Sequence, residues 1–205
     1  MKVVCIVQAR MGSKRLPGKV LLPLGGHPVL WHVLTRCQRI PCVGAVVLAI
    51  PDEAASAELR DEARKVGVSR YFGPEQDVLR RYWGVASYCE VDVIVRITAD
   101  CPFIDPEVCG RVLQLLLDAN VDYASNVYPE RTWPKGLDCQ AFTREALERA
   151  HREATDPYDR EHVCPWMERN LRTACIPGPG PDGVSLTLDT PEDYERLQQI
   201  MKEAG

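Results

Sequence analysis

Ile6-Val7-Gln8-Ala9-Arg10-Met11-Gly12-Ser13-Lys14-Arg15-Leu16-Pro17-Gly18-Lys19 joins an apolar run, 3–7, to a loop holding two glycines and four cations, Arg10, Lys14, Arg15 and Lys19. An amphipathic segment then begins near His27. A buried strand that feeds a basic glycine loop and then a helix is how α/β proteins hold phosphates. Backbone N–H groups converge on the anion and fixed cations neutralise it. The plainer alternative is a solvated loop that happens to be basic. Two familiar phosphate loops do not fit. A P-loop needs four residues between its glycines and a Ser or Thr after the lysine; here five separate Gly12 from Gly18, and Val20 follows Lys19. The G-x-G-x-x-G spacing of a dinucleotide fold is absent.

Working outward, the pattern alternates. Leu30, Val33, Leu34 and Cys37 recur at helical spacing and predict a helix that ends before Pro41. The continuous apolar run 45–50 predicts a parallel strand buried on both faces. Asp52 is placed to cap a helix with Leu59, Ala63 and Val66 inside. A short strand, 69–72, precedes the turn 73–77 and a helix carrying Val78, Tyr82 and Val85. Residues 91–97 read as a central strand ending in Thr98-Ala99-Asp100-Cys101-Pro102. Asp105-Pro106 then opens a helix in the favoured order, cap before proline, with Val108, Val112, Leu115 and Leu116 on one face. Such alternation predicts an α/β fold, an open, mostly parallel, Rossmann-like sheet with helices on both faces.

Beyond Asn120 the rhythm changes. A strand is expected at 121–125, a polar loop at 126–135, and a half-exposed antiparallel strand at 136–142, where apolar and polar residues alternate. Helices are expected at 144–154 and 159–170, a loop at 177–183, a strand at 184–188, and a last helix opened by Thr190, Pro191 and a capping-box Asp193.

With 205 residues the chain suits one domain. A net charge of −4 argues against broad nucleic-acid or acidic-membrane binding, so positive charge is local to the loop. Nine cysteines, an odd number with no C-x-x-C pair, imply reduced core thiols in a cytosolic protein and neither a disulfide frame nor a zinc site. No apolar run approaches membrane-spanning length, and no secretory leader is evident at the N-terminus.

In open α/β sheets, ligands sit beyond the carboxyl ends of the strands. Arg10, Asp100 and Asp189 each follow a predicted strand. Two carboxylates for a hard cation and a basic loop for outer phosphates would suit a nucleoside triphosphate with magnesium. Taken singly, an aspartate after a strand is most often a turn or cap residue.

The loop resembles the (A)-R-x-x-S-x-R-L-P-G-K signature of the sugar cytidylyltransferases, the group of CMP-KDO synthetase and acylneuraminate cytidylyltransferase. Ala9, Arg10, Ser13, Arg15, Leu16, Pro17, Gly18 and Lys19 fall in place. The form I-V-Q-A-R-M-G-S-x-R-L-P-G-K is most similar to the spore-coat polysaccharide biosynthesis protein F branch, as are Thr98 to Asp105, Gly73 to Tyr82 and Arg160 to Pro165. Leu188-Asp189-Thr190-Pro191-Glu192-Asp193 resembles the family's V-D-T-P-E-D segment.

This resemblance implies a CTP-dependent enzyme joining CMP to a sugar, with Mg2+ on Asp100 and Asp189 and with Arg10, Lys19 and Asp100 catalytic. It assigns the nucleotide to the 9–13 backbone (Ala9, Arg10, Met11, Gly12, Ser13), to Arg15 and Lys19, to Gln76, Asp77 and Val78 near the cytosine, and to Thr98. Thr98 stands where the KDO enzymes carry glutamine. The sugar side would be bordered by Lys135, Gly136, Asp138, Glu161 and His162, with Asn126 and Arg131 as weaker candidates. Asp77 alone reads as a helix cap, and a lone His162 as structural. Trp133, Phe142 and Trp166 read as core or interface residues, and 126–176 as an antiparallel arm pairing a homodimer. Two rivals stay open: a nucleotidyltransferase using another triphosphate and a sugar 1-phosphate, and a non-catalytic partner of polysaccharide enzymes.

Overall fold

A computed structural model describes residues 1–51, 56–180 and 183–203. The helix cap expected at Asp52, and Pro181 and Asp182 of the proline-glycine loop, lie outside the described residues.

The apolar runs build the sheet. Strand β1 (Val3–Gln8) pairs in parallel with β4 (Ala45–Pro51) on one side and β6 (Val93–Thr98) on the other, and β4 pairs with β5 (Ser69–Gly73). Successive side chains alternate between faces, so Val3, Cys5 and Val7 enter one core while Val4 and Ile6 enter the other. The first core is closed by α1 (Val29–Cys37), α2 (Ala57–Lys65) and α4 (Pro106–Asp118). The second is closed by α3 (Val78–Cys89), α5 (Arg144–Glu153) and α7 (Pro165–Asn170), with α6 (Pro157–His162) packed against α3. Helices thus cover both faces, as the alternating pattern requires.

The remaining strands extend the sheet past β6. β8 (Gln140–Thr143) runs antiparallel between β6 and β7 (Tyr123–Ser125), and β9 (Thr173–Cys175) adds in parallel to β7. The order is β5-β4-β1-β6-β8-β7-β9. The chain moves outward from β1 through β4 and β5, then returns to lay β6 on the other flank of β1. That reversal opens a crevice beyond Gln8 and Thr98, which are paired neighbours.

Four expectations are corrected. The strand expected at 136–142 begins at Gln140, and Cys139 to Phe142 are all buried: its polar Gln140 is turned inward to accept from the buried Arg96 at 2.8 Å. The helix expected at 159–170 is two, because Val163 adopts φ 72° and Pro165 restarts the helix. Residues 184–188 are extended but form no strand: Leu186 N–H donates to Lys135 O (2.7 Å) and Leu188 N–H to Asp100 O (2.8 Å), one bond to each of two loops. The C-terminal α2 residue Glu62 is buried where Val66 was expected to fill the stripe, and Val66 is only partly covered.

Besides a single 3-10 turn at Lys19–Leu21, two elements were not anticipated. One is β9; the other is a two-stranded antiparallel ribbon, β2 (Pro23–Leu24) with β3 (His27–Pro28). The last helix, α8 (Pro191–Glu203), packs on that ribbon through Leu197 and Met201 beside Leu24 and Leu188. Its capping box is present: Asp193 N–H donates to Thr190 Oγ1 (3.3 Å), and Asp193 Oδ2 accepts from the N–H groups of Asp189 and Thr190 (2.9 Å each). This box holds Asp189 at the mouth of the crevice.

Candidate active site

The crevice is a cavity of about 650 Å3. Its loop side is Ala9, Arg10, Gly12, Ser13, Lys14, Arg15 and Lys19; Thr98, Ala99 and Asp100 come from the end of β6; Gln76 and Val78 come from the start of α3; Glu161 and His162 come from the end of α6; and Asp189 precedes α8. Five chain segments far apart in sequence therefore meet at the switch in strand order.

The loop turns on Met11. Its carbonyl accepts from Ser13 N–H (2.9 Å) and Gly18 N–H (3.1 Å), and Gly18 takes φ 68°, a left-handed conformation that glycine adopts without strain. Met11 faces the core, not the cavity. Ala9 N–H is spent on Ala49 O (3.2 Å). Within 9–13, the N–H groups of Arg10, Met11 and Gly12 are without a protein partner. The expected 9–13 cradle is thus narrowed to three amides.

Lys19 sits deepest. Its Nζ donates to Asp100 Oδ2 (2.7 Å), Asp189 Oδ1 (2.9 Å) and Leu188 O (2.7 Å). Burial opposes its charge, yet the two carboxylates hold its pKa above the ordinary lysine value. Burial would raise the Asp189 carboxyl, but Lys19, with Arg15 and Lys135, holds it below the usual range. Arg15 reaches Asp189 at 3.0 Å and Lys135 at 3.4 Å. Two carboxylates and a carbonyl thus converge on one point occupied by an ammonium group. The described residues contain no cluster of three or more His, Cys, Asp or Glu of metal-binding kind.

At the opposite wall Arg10 pairs with Glu161 at 3.3 Å, and His162 packs against Tyr158. Several expected site residues do other work. Asp77 caps α3 by accepting from Arg80 N–H (3.0 Å) and pairs with Arg160 at 2.8 Å. Asp138 accepts two bonds from Arg131, each 2.7 Å, and binds Gly136 N–H at 3.3 Å. Gly136 (φ 100°) lies so close to the strap before Asp189 that a Cβ there would stand 2.5 Å from Leu186 C. Asn126 is buried and bonds Leu137 O and Cys139 N–H. Trp133, Phe142 and Trp166 are core residues.

Lys14, expected as a cation of the loop, lines the cavity; Gln8, Val20, Glu75, Arg81 and Ala99 do so without having been anticipated. For Arg81 a signal existed. It falls three residues after Val78 and four before Val85, so a cation occupies a position of the buried stripe of α3.

A family model described as cytidylyltransferase matches residues 4–202. The spore coat polysaccharide biosynthesis protein SpsF of Bacillus subtilis is 31% identical over 99% of this chain and 88% of its own length. A cytidylyltransferase structure from Leptospira borgpetersenii superposes with a TM-score of 0.94 at 35% identity, covering 99% of this chain and 87% of that one. CMP:2-keto-3-deoxy-manno-octonic acid synthetase, solved with CTP, shares the fold: TM-score 0.78, 21% identity, 100% of both chains. The strand order, the signature loop at its switch point and the match across almost the whole sequence agree, and the chain belongs to the cytidylyltransferase family.

Proposed function

We propose that this enzyme transfers CMP from CTP to a sugar, releasing pyrophosphate, with Mg2+ held by Asp100 and Asp189. The observation that carries the metal assignment is the convergence of both carboxylates on Lys19 Nζ. A cation already stands between them, and hard oxygen donors at that spacing suit magnesium, whose other ligands would be water and phosphate oxygens. Bound there, the ion would supply neutralisation of the charge on the leaving pyrophosphate.

The chain's own part is positioning and electrostatics, with no covalent nucleophile. Arg10, Lys14 and Arg15 line the cavity beside the free amides of Arg10 to Gly12, a donor set suited to a polyphosphate. Lys19 would move from the carboxylates onto phosphate oxygens. A sugar oxygen would attack the α-phosphorus in line from the side of Glu161 and His162, while Lys135, beside Asp189, would be a further cation for an acidic sugar. By family resemblance the product would enter a surface or spore-coat polysaccharide, in the cytoplasm, from a homodimer. Among the described residues no helix is long and apolar enough to cross a membrane.

Pyrophosphate release from CTP should be measured against a panel of sugar acids and neutral sugars. Wild-type turnover with one acceptor, cut at least about 100-fold in Asp100→Asn, is the expected result. CTP binding with no release for any acceptor would favour the non-catalytic alternative. Near-full activity in Asp100→Asn with magnesium would remove the metal assignment.

A further inference from the structure

Arg81 is 1% exposed, yet its Nε and Nη1 have no hydrogen-bond partner, and its side chain lines the cavity. Gln8, at the end of β1 on the same wall, has a buried Oε1 with no partner either. Room for the arginine is built in: a Cβ on Gly73 would stand 2.8 Å from Arg81 Cγ. A buried guanidinium without partners is costly and rare in native proteins. Two such groups on one cavity wall mark a place where a ligand completes the bonding.

The charge around Arg81 is too nearly balanced to single out a phosphate. The ionisable groups facing Arg81 are Tyr82, Arg10, Glu75 and Asp77, so one further cation is met by two carboxylates. Arg10 is moreover paired with Glu161. The cations that gather around Asp189 are Lys19, Arg15 and Lys135, and none of them is paired with Glu75 or Asp77, the carboxylates beside Arg81. A near-neutral wall offering N–H donors and one carbonyl acceptor fits the edge of a nucleobase.

We propose that Arg81 and Gln8 read the pairing edge of cytosine and set the preference for CTP over UTP. Arg81 donates to the ring acceptors O2 and N3, and Gln8 Oε1 accepts from the 4-amino group. Arginine can only donate. Uracil turns an N3–H towards Arg81, which has no acceptor to offer it, so that contact becomes repulsive; Gln8 would have to turn its amide over to meet the 4-carbonyl. The inference rests on the CTP reading above and names the residues that select the base.

Titration calorimetry of wild type, Arg81→Met and Gln8→Met with CTP, UTP and inorganic pyrophosphate tests it. The wild type should prefer CTP. Arg81→Met should weaken CTP about 10- to 100-fold, leave pyrophosphate unchanged and bring the CTP-to-UTP ratio towards one. Gln8→Met should shift the ratio the same way by about 10-fold, and it carries the test alone if Arg81→Met does not fold. An equal loss of CTP and pyrophosphate would make Arg81 a phosphate ligand and overturn the proposal. So would an unchanged ratio in the folded variants. A wild type without CTP preference would instead overturn the CTP reading itself, before any substitution is made.

Discussion

Lys19 Nζ stands 2.7 Å from Asp100 Oδ2 and 2.9 Å from Asp189 Oδ1, where a divalent ion bound by the same two carboxylates would have to sit. The lysine's place in the signature loop made a phosphate cation legible. That its Nζ rests between Asp100 and Asp189 was not legible, because those residues lie 81 and 170 positions away. Removing the ammonium leaves two carboxylates facing each other, a better cage for a divalent ion. Lys19→Met should therefore bind Mn2+ more tightly than wild type in the absence of nucleotide, as read by paramagnetic resonance, while turnover falls. Unchanged Mn2+ affinity would mean that the lysine does not compete for the site. A pH dependence follows as well. Asp189 titrates below its ordinary range when folded, so its contribution to stability is present above the ordinary carboxylate value of about 4 and is lost as pH falls through the lowered one. Lys19→Met lacks most of that contribution. The stability difference between the two proteins should narrow on acidification, and denaturant melts at neutral and acid pH would reveal a constant difference if this is wrong.

Among the elements, the ones best read from sequence were those whose pattern and partners agree. Runs such as 45–50 and 91–97 bury apolar residues in both cores, through Val46, Val47, Leu48 and Ala49 in the first run and Val93, Ile94 and Val95 in the second, and became the central parallel strands β4 and β6. Capping signals were equally direct: Asp105 accepts from the N–H groups of Glu107 and Val108 (2.8 and 3.3 Å) ahead of Pro106. The misread elements depend on contacts that no local pattern encodes. Residues 184–188 alternate like a strand, but their partners are two loops. Gly136 is the point where one of those loops meets this strap. Its positive φ and the backbone of Leu186 leave no space for a methyl group. Gly136→Ala should cost about 3 kcal/mol or more in urea unfolding, with loss of activity through displacement of Asp189. A cost below about 1 kcal/mol would show that the strap can shift freely.

For the whole molecule, a three-layer fold of this order brings ligand-facing residues to one edge without any single segment carrying the site. Hence the anion loop and both aspartates were legible as motifs, while Gln8, Glu75 and Arg81 emerged only once the segments met. Pairing of two copies is carried by resemblance; sedimentation velocity should give about twice the 23.0 kDa chain mass, and a monomer at micromolar concentration would limit the resemblance to the fold and site. The central claim, a magnesium-dependent site for CTP, is most directly tested by thermal unfolding with CTP, UTP, ATP and GTP, each with and without Mg2+. A ligand that binds only the folded state raises the melting temperature according to its affinity and concentration. A magnesium-dependent rise that is largest for CTP is expected; an equal rise with all four nucleotides, or none with any, would contradict a magnesium-dependent CTP site.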